Sequence, residues 1–149
     1  SLSSKILDGI VFLAEACEPD FIKRKQEHNK KVIDYENLSI ERENYQYADF
    51  LLECRKIEIH DDVARALWHL SRNIMNDYDY PNYKPFLQDD LCEQFQLDYD
   101  DINFGILEPA FIGFGCCLKE TLLEVPIASE YPTYSIIGLL KQLETYYKG

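Results

Sequence analysis

The sequence predicts an all-α, or nearly all-α, fold: one domain over residues 1–149, built as an irregular bundle of about six or seven helices. Three observations predict it. Apolar residues recur at three- and four-residue steps along most of the chain, no run alternates cleanly enough for a half-buried strand, and an apolar content of 46% suffices for a core without disulfides or metal.

Ser3 or Ser4 can cap a first helix in which Ile6, Ile10, Leu13 and Cys17 share a face, ending before Pro19. A second starts at Asp20, with Phe21, Val32 and Tyr35 on one side and Lys23, Arg24, Lys25, Lys30 and Lys31 mostly around the rest. A third is expected from about Ser39 to Arg55, its clearest apolar patch being Ala48, Leu51 and Leu52. The fourth has the strongest period: Asp61 or Asp62 caps it, Val63, Ala66, Leu67, Leu70 and Ile74 form one stripe widened by Trp68 and Met75, and Arg65, His69 and Arg72 lie opposite.

The stretch from Asp77 to Pro85 combines proline, asparagine and aspartate in the manner of a loop, and its rings suit a binding loop. A fifth helix is expected over about Pro85 to Gln96, with Leu87, Leu91, Cys92 and Phe95 inward and Asp89, Asp90 and Glu93 together facing water. Residues Asp98 to Asp101 read as a second acidic loop or a helix start. Ile102 to Leu123 is strongly apolar, punctuated by Gly105, Pro109, Gly113 and Gly115. After a break at Val125-Pro126, a last helix begins near Pro132 and buries Ile136, Leu139, Leu140, Leu143 and Tyr147.

Charge is concentrated. Between Asp77 and Glu108 nine acids stand against one base, Lys84, a net −8 out of the chain's −12. Rings alternate with those carboxylates, so the segment reads as a surface that attracts cations and offers flat contact area at low entropic cost. The residues expected to carry partner binding are Asp77, Tyr78, Asp79, Tyr80, Tyr83, Asp89, Asp90, Glu93, Asp98, Tyr99, Asp100 and Asp101. The same balance argues against nucleic acid or an anionic membrane as a direct partner, since phosphate binding requires Lys and Arg to displace counterions. The longest uncharged stretches, Pro109–Leu118 and Tyr131–Leu140, are about half a membrane span. The apolar run Ile6–Leu13 is interrupted by Asp8 and followed by Glu15 and Glu18, unlike a signal peptide.

Five cysteines, Cys17, Cys54, Cys92, Cys116 and Cys117, form no Cys-x-x-Cys pair and have no His at metal spacing, which suits reduced thiols in a cytoplasm. The adjacent Cys116 and Cys117 read as small residues packed in a helix. No Glu-x-x-His, no Gly-x-Ser-x-Gly and no phosphate-cradling glycine loop occurs; Gly113-Phe-Gly115 lacks the rest of either fingerprint.

One constellation bears on catalysis: His60-Asp61, with His28 upstream and Asp98, Asp100 or Asp101 downstream. Over those four residues the order resembles the histidine-aspartate metal phosphohydrolases, helical enzymes in which two His and two Asp surround a divalent metal. The local reading of His60-Asp61-Asp62 is simpler, the acidic start of the fourth helix. The sequence therefore leads to the expectation of a non-enzymatic, cofactor-free cytoplasmic protein that neutralises a basic partner, with a bacterial immunity protein against a toxin nuclease as the concrete form. A nucleic-acid mimic or regulatory adaptor, and a metal-dependent phosphohydrolase using His28, His60 and Asp61, are the alternatives.

Overall fold

A computed structural model describes residues 34–115 and 131–147. Contacts group the chain into two compact units, Ser1–Leu38 and Ser39–Gly149. Of the first, residues 34–38 are described, and they are helical. The expected first helix, most of the second, His28, Cys17, Cys116, Cys117 and the break at Val125-Pro126 lie outside the described residues.

Within the second unit, five α-helices are described: α1 (Tyr47–Lys56), α2 (Asp61–Asp77), α3 (Tyr99–Ile102), α4 (Glu108–Phe114) and α5 (Ile136–Tyr146). A π-helical segment, Asn103–Leu107, joins α3 to α4. The described residues contain no strand, only an isolated bridge between Asp90 and Ser135, so the all-α class fits. No helix among them is long and apolar enough to cross a membrane.

Helix α2 is central and packs against α1, α4, α5 and the π segment. It buries Val63, Ala64, Leu67, Trp68, Ser71, Ile74 and Met75. Leu70, placed in the stripe by its spacing, is only half-buried. The cap is His60, with Asp61 and Asp62 in the first turn, where negative charge meets the positive end of the helix dipole. Helix α5 matches its expected stripe: Ile136, Leu139, Leu140 and Leu143 are wholly buried and Tyr147 nearly so. Its cap is Ser135, whose Oγ accepts from Gly138 N at 3.0 Å, so the helix starts four residues after Pro132.

Two expected helices are corrected. The run from Ser39 to Arg55 is not continuous: residues 42–44 form a turn, and α1 starts afresh at Tyr47 behind a capping box in which Asp49 Oδ2 accepts from Gln46 N at 2.7 Å. Its buried residues are Phe50 and Cys54, not Ala48, Leu51 and Leu52, because the Phe50 ring packs 5.4 Å from Trp68 while Leu52 points to solvent.

Residues 85–96 form no helix at all; 91–95 are turns. The backbone of this segment serves α5 instead. Leu87 O and Asp89 O accept from Ile137 N and Ile136 N at 2.9 and 2.8 Å, and Leu91 N donates to Tyr134 O at 3.0 Å. Two donors at the start of α5 that no intrahelical carbonyl can reach are thereby satisfied. Leu91 and Phe95 reach the core from this irregular path.

The sequence breaks at Gly105 and Pro109 also take a definite form. Pro109 has no N–H to give the preceding turn, and the helical path runs through it from Tyr99 to Phe114 by widening to π over the five residues just before α4. A Cβ at Gly105 would press into the Ile74 side chain, so glycine is what lets this segment lie close against α2.

Candidate functional site

The twelve residues of the acidic-aromatic segment divide into an interior set and a surface set. Asp89 is 2% exposed and forms the hub of the interior set. Its Oδ2 accepts from Arg42 Nη1 at 2.5 Å, Tyr83 Oη at 2.7 Å and Phe86 N at 3.2 Å, and its Oδ1 from Arg42 Nη2 at 2.7 Å. Arg42 also donates to Lys84 O at 2.8 Å and lies 3.8 Å over the Phe86 ring. Burial works against the Arg42 charge, but the hydrogen bond and charge of Asp89 outweigh it and raise its pKa. Asp89 therefore does not face water beside Asp90 and Glu93; a guanidinium arriving from 47 residues upstream in sequence holds it inside.

Tyr80 and Tyr83 are interior as well. Tyr80 donates to Phe95 O at 2.9 Å, and both rings meet Phe95 edge-on at 5.3 and 5.4 Å. Burial, then the neighbouring Asp89, pushes the Tyr83 phenol well above its ordinary range. These two rings and Asp89 have no surface to present to a partner. Asp90 is half-buried, its Oδ1 accepting from Cys92 N and Glu93 N at 3.0 and 2.8 Å, a local turn that competes with helix.

Half of the surface set converges. Asp77 and Tyr78, at the end of α2, and Asp100 and Asp101, at the start of the α3–α4 path, line one open groove of about 430 Å³. Leu70, Asn73, Ile74, Phe104 and Gly105 complete its walls. The Tyr78 hydroxyl is hydrogen-bonded to Asp101; that bond, then burial and the charges of Asp101, Asp98 and Asp77, raises its pKa. Asp101 has a second duty, accepting from Asp98 N at 3.1 Å in the capping box that starts α3. Phe104 is 68% exposed and Tyr78 41%, so the groove offers bare rings next to carboxylates. Asp79 follows in a left-handed turn with φ 64°, a conformation Asp tolerates better than most residues. Tyr99 is exposed and stacks on Tyr134 at 4.8 Å; Glu93 is exposed.

Among the described residues no Lys or Arg pairs with Asp77, Asp79, Asp98, Asp100 or Asp101. The bases are engaged elsewhere. Arg42 holds Asp89, Arg55 holds Asp61, Lys56 holds Glu53, and Arg65 lies beside Asp62. Arg72, Lys84 and Lys141 donate to the backbone oxygens of Tyr83, Glu43 and Ile57.

No protein-family model, curated protein or solved structure matches this chain. The site must be read from its own chemistry.

Of the phosphohydrolase-like order, His60 and Asp61 are occupied with the junction between α1, α2 and α5, Asp98, Asp100 and Asp101 stand at the start of α3, and His28 lies outside the described residues. His60 N donates to Glu144 Oε2 at 3.0 Å, and His60 Nδ1 pairs with Glu144 Oε1. Asp61 takes both arms of Arg55 at 3.0 and 2.7 Å, and that hydrogen bonding lowers its carboxyl pKa. Asp62 Oδ2 accepts from Tyr147 Oη at 2.5 Å. Among the described residues no group of three or more His, Cys, Asp or Glu is placed to hold a metal ion.

Sequence reasoning missed the apolar half of the groove: Leu70, Ile74, Phe104 and Gly105. The signal was present in part. Phe104 follows Asp101 by one helical turn, which places ring and carboxylate on one side, whereas the approach of the π segment to α2 has no local signature.

Proposed function

We propose that this protein is a non-enzymatic binding protein that docks a basic partner protein on its acidic, ring-bearing face and masks the partner's cationic surface. The observation that carries the reading is the pairing pattern: acids from the end of α2 and from α3, about twenty residues apart, meet at one groove, and every Lys and Arg among the described residues is engaged away from it. An assembly of like charges is a cost to the isolated fold that a cationic partner would relieve, and its field would steer that partner in. In its concrete form the partner is a toxin nuclease and the protein a cytoplasmic bacterial immunity protein. A nuclease must present Lys and Arg to hold phosphates, and an acidic surface with exposed rings can cover that site.

Binding kinetics against a basic nuclease encoded beside this gene test the reading. Replacing Asp77, Asp79 and Asp100 with Asn should slow association and flatten its salt dependence, because exposed charges act at long range. Tyr99→Ala should instead speed dissociation if its ring is in the contact. Identical kinetics for both variants and the parent would return the segment to an ordinary solvated surface. A nuclease that the protein does not inhibit, alongside tight binding of a basic DNA-binding protein, would move the reading to a nucleic-acid mimic.

A further inference from the structure

We infer that the groove between the end of α2 and the π segment is a receptor for one arginine side chain of the partner. The inference rests on the docking reading above and specifies its chemistry. The groove is partly apolar, with Leu70, Ile74 and Gly105 in its walls, and the more exposed of its two rings is Phe104 on a π-helical segment, a local widening that often accompanies functional sites. At about 430 Å³ it lies at the small end of ligand sites, room for a long side chain rather than for a packed helix.

Charge complementarity names the occupant. Asp77, Asp100 and Asp101 supply negative charge, and no described base answers it. The rings of Tyr78 and Phe104 add faces on which a planar cation stacks, and the apolar wall takes the methylene stem. Arginine meets all three demands: a flat, weakly hydrated guanidinium, a fork of donors for carboxylates, and an apolar stem. Lysine offers a compact, strongly hydrated ammonium that stacks poorly. Gly105 leaves room for the tip of Ile74, since a methyl there would meet Ile74 Cδ1 and push it aside in the wall.

The test uses the full chain and three capped tripeptides, Ala-Arg-Ala, Ala-Lys-Ala and Ala-citrulline-Ala, titrated at low salt with amide chemical shifts as readout. The arginine peptide should give saturable shifts at Asn73–Tyr78 and Asp100–Gly105. Lysine should bind several-fold more weakly, and citrulline, which has the shape without the charge, should not saturate. Phe104→Ala should weaken the arginine peptide about fivefold, the scale of one exposed cation–π contact, with the parent's circular dichroism retained because the ring is exposed. Gly105→Ala should weaken it through Ile74, with shift changes centred on α2. Absence of saturation, equal binding of citrulline, or shifts centred elsewhere would overturn the assignment.

Failure of the groove is distinguishable from failure of the docking face. If Asp79→Asn with Glu93→Gln slows association of the neighbouring nuclease while Phe104→Ala changes nothing, the face stands and the arginine receptor falls. If the arginine peptide binds as described while no basic partner associates, the receptor stands and the docking reading falls.

Discussion

Asp89 and Asp61 show how differently two ion-paired aspartates act in one molecule. Asp61 and Arg55 lie at the surface, where water already solvates both charges, so breaking the pair should alter stability little. Asp89 has left water and is compensated by Arg42, Tyr83 and the Phe86 amide. Asp89→Ala strands a buried guanidinium and should destabilise by about 3–5 kcal/mol in urea denaturation at neutral pH. A loss no larger than that of Asp61→Ala would mean that Arg42 finds water when Asp89 is gone. Tyr83 adds a pH signature. Its folded pKa is raised, so its contribution is complete below about pH 10, where the unfolded phenol titrates, and is lost as pH rises toward the folded value. Tyr83→Phe should cost about 1.5–3 kcal/mol at neutral pH for the bond to a charged acceptor, and should make the alkaline fall in stability shallower.

Helices α2 and α5 were legible because a single period decides them: one face meets the core over three or more turns. The finer placement of α2 was less so. The spacing put Leu67 and Leu70 on equal terms, yet Leu67 is wholly buried while Leu70 looks onto two grooves. Leu67→Ala should therefore cost about 2–5 kcal/mol, and Leu70→Ala clearly less, by chemical denaturation. Equal losses would place the buried face of α2 wrongly. Residues 85–96 were illegible for a different reason. Their apolar spacing is compatible with a helix, but Asp89 answers to Arg42 and the carbonyls of Leu87 and Asp89 answer to α5. Such partners are distant in sequence, and local period carries no trace of them. The same holds for the site: the acidic residues could be read off the chain, but that half of the surface set would meet at one groove depended on the approach of the π segment to α2, and that Tyr80, Tyr83 and Asp89 would turn inward depended on Phe95 and Arg42.

At the scale of the whole molecule the unpaired charge should be measurable as lost stability. Asp77 closes α2, where the backbone carbonyls already carry partial negative charge, and no base stands in that last turn to offset it. Asp79 and Asp100 add to the same field, whereas Asp98 and Asp101 offset part of their cost through the capping box of α3. Repulsion among exposed charges acts over roughly 10 Å at 0.1 M salt and only about 3 Å at 1 M. Converting Asp77, Asp79 and Asp100 together to Asn should accordingly raise the thermal midpoint at low salt, with the gain shrinking toward zero at about 1 M salt. Asn is suited to the left-handed turn at position 79, so backbone strain will not confound the comparison. Asp98→Ala should lower the midpoint at every salt concentration, since it removes a cap as well as a charge. A triple variant no more stable than the parent at low salt would show that the acids do not strain the fold and leave a cationic partner no repulsion to relieve.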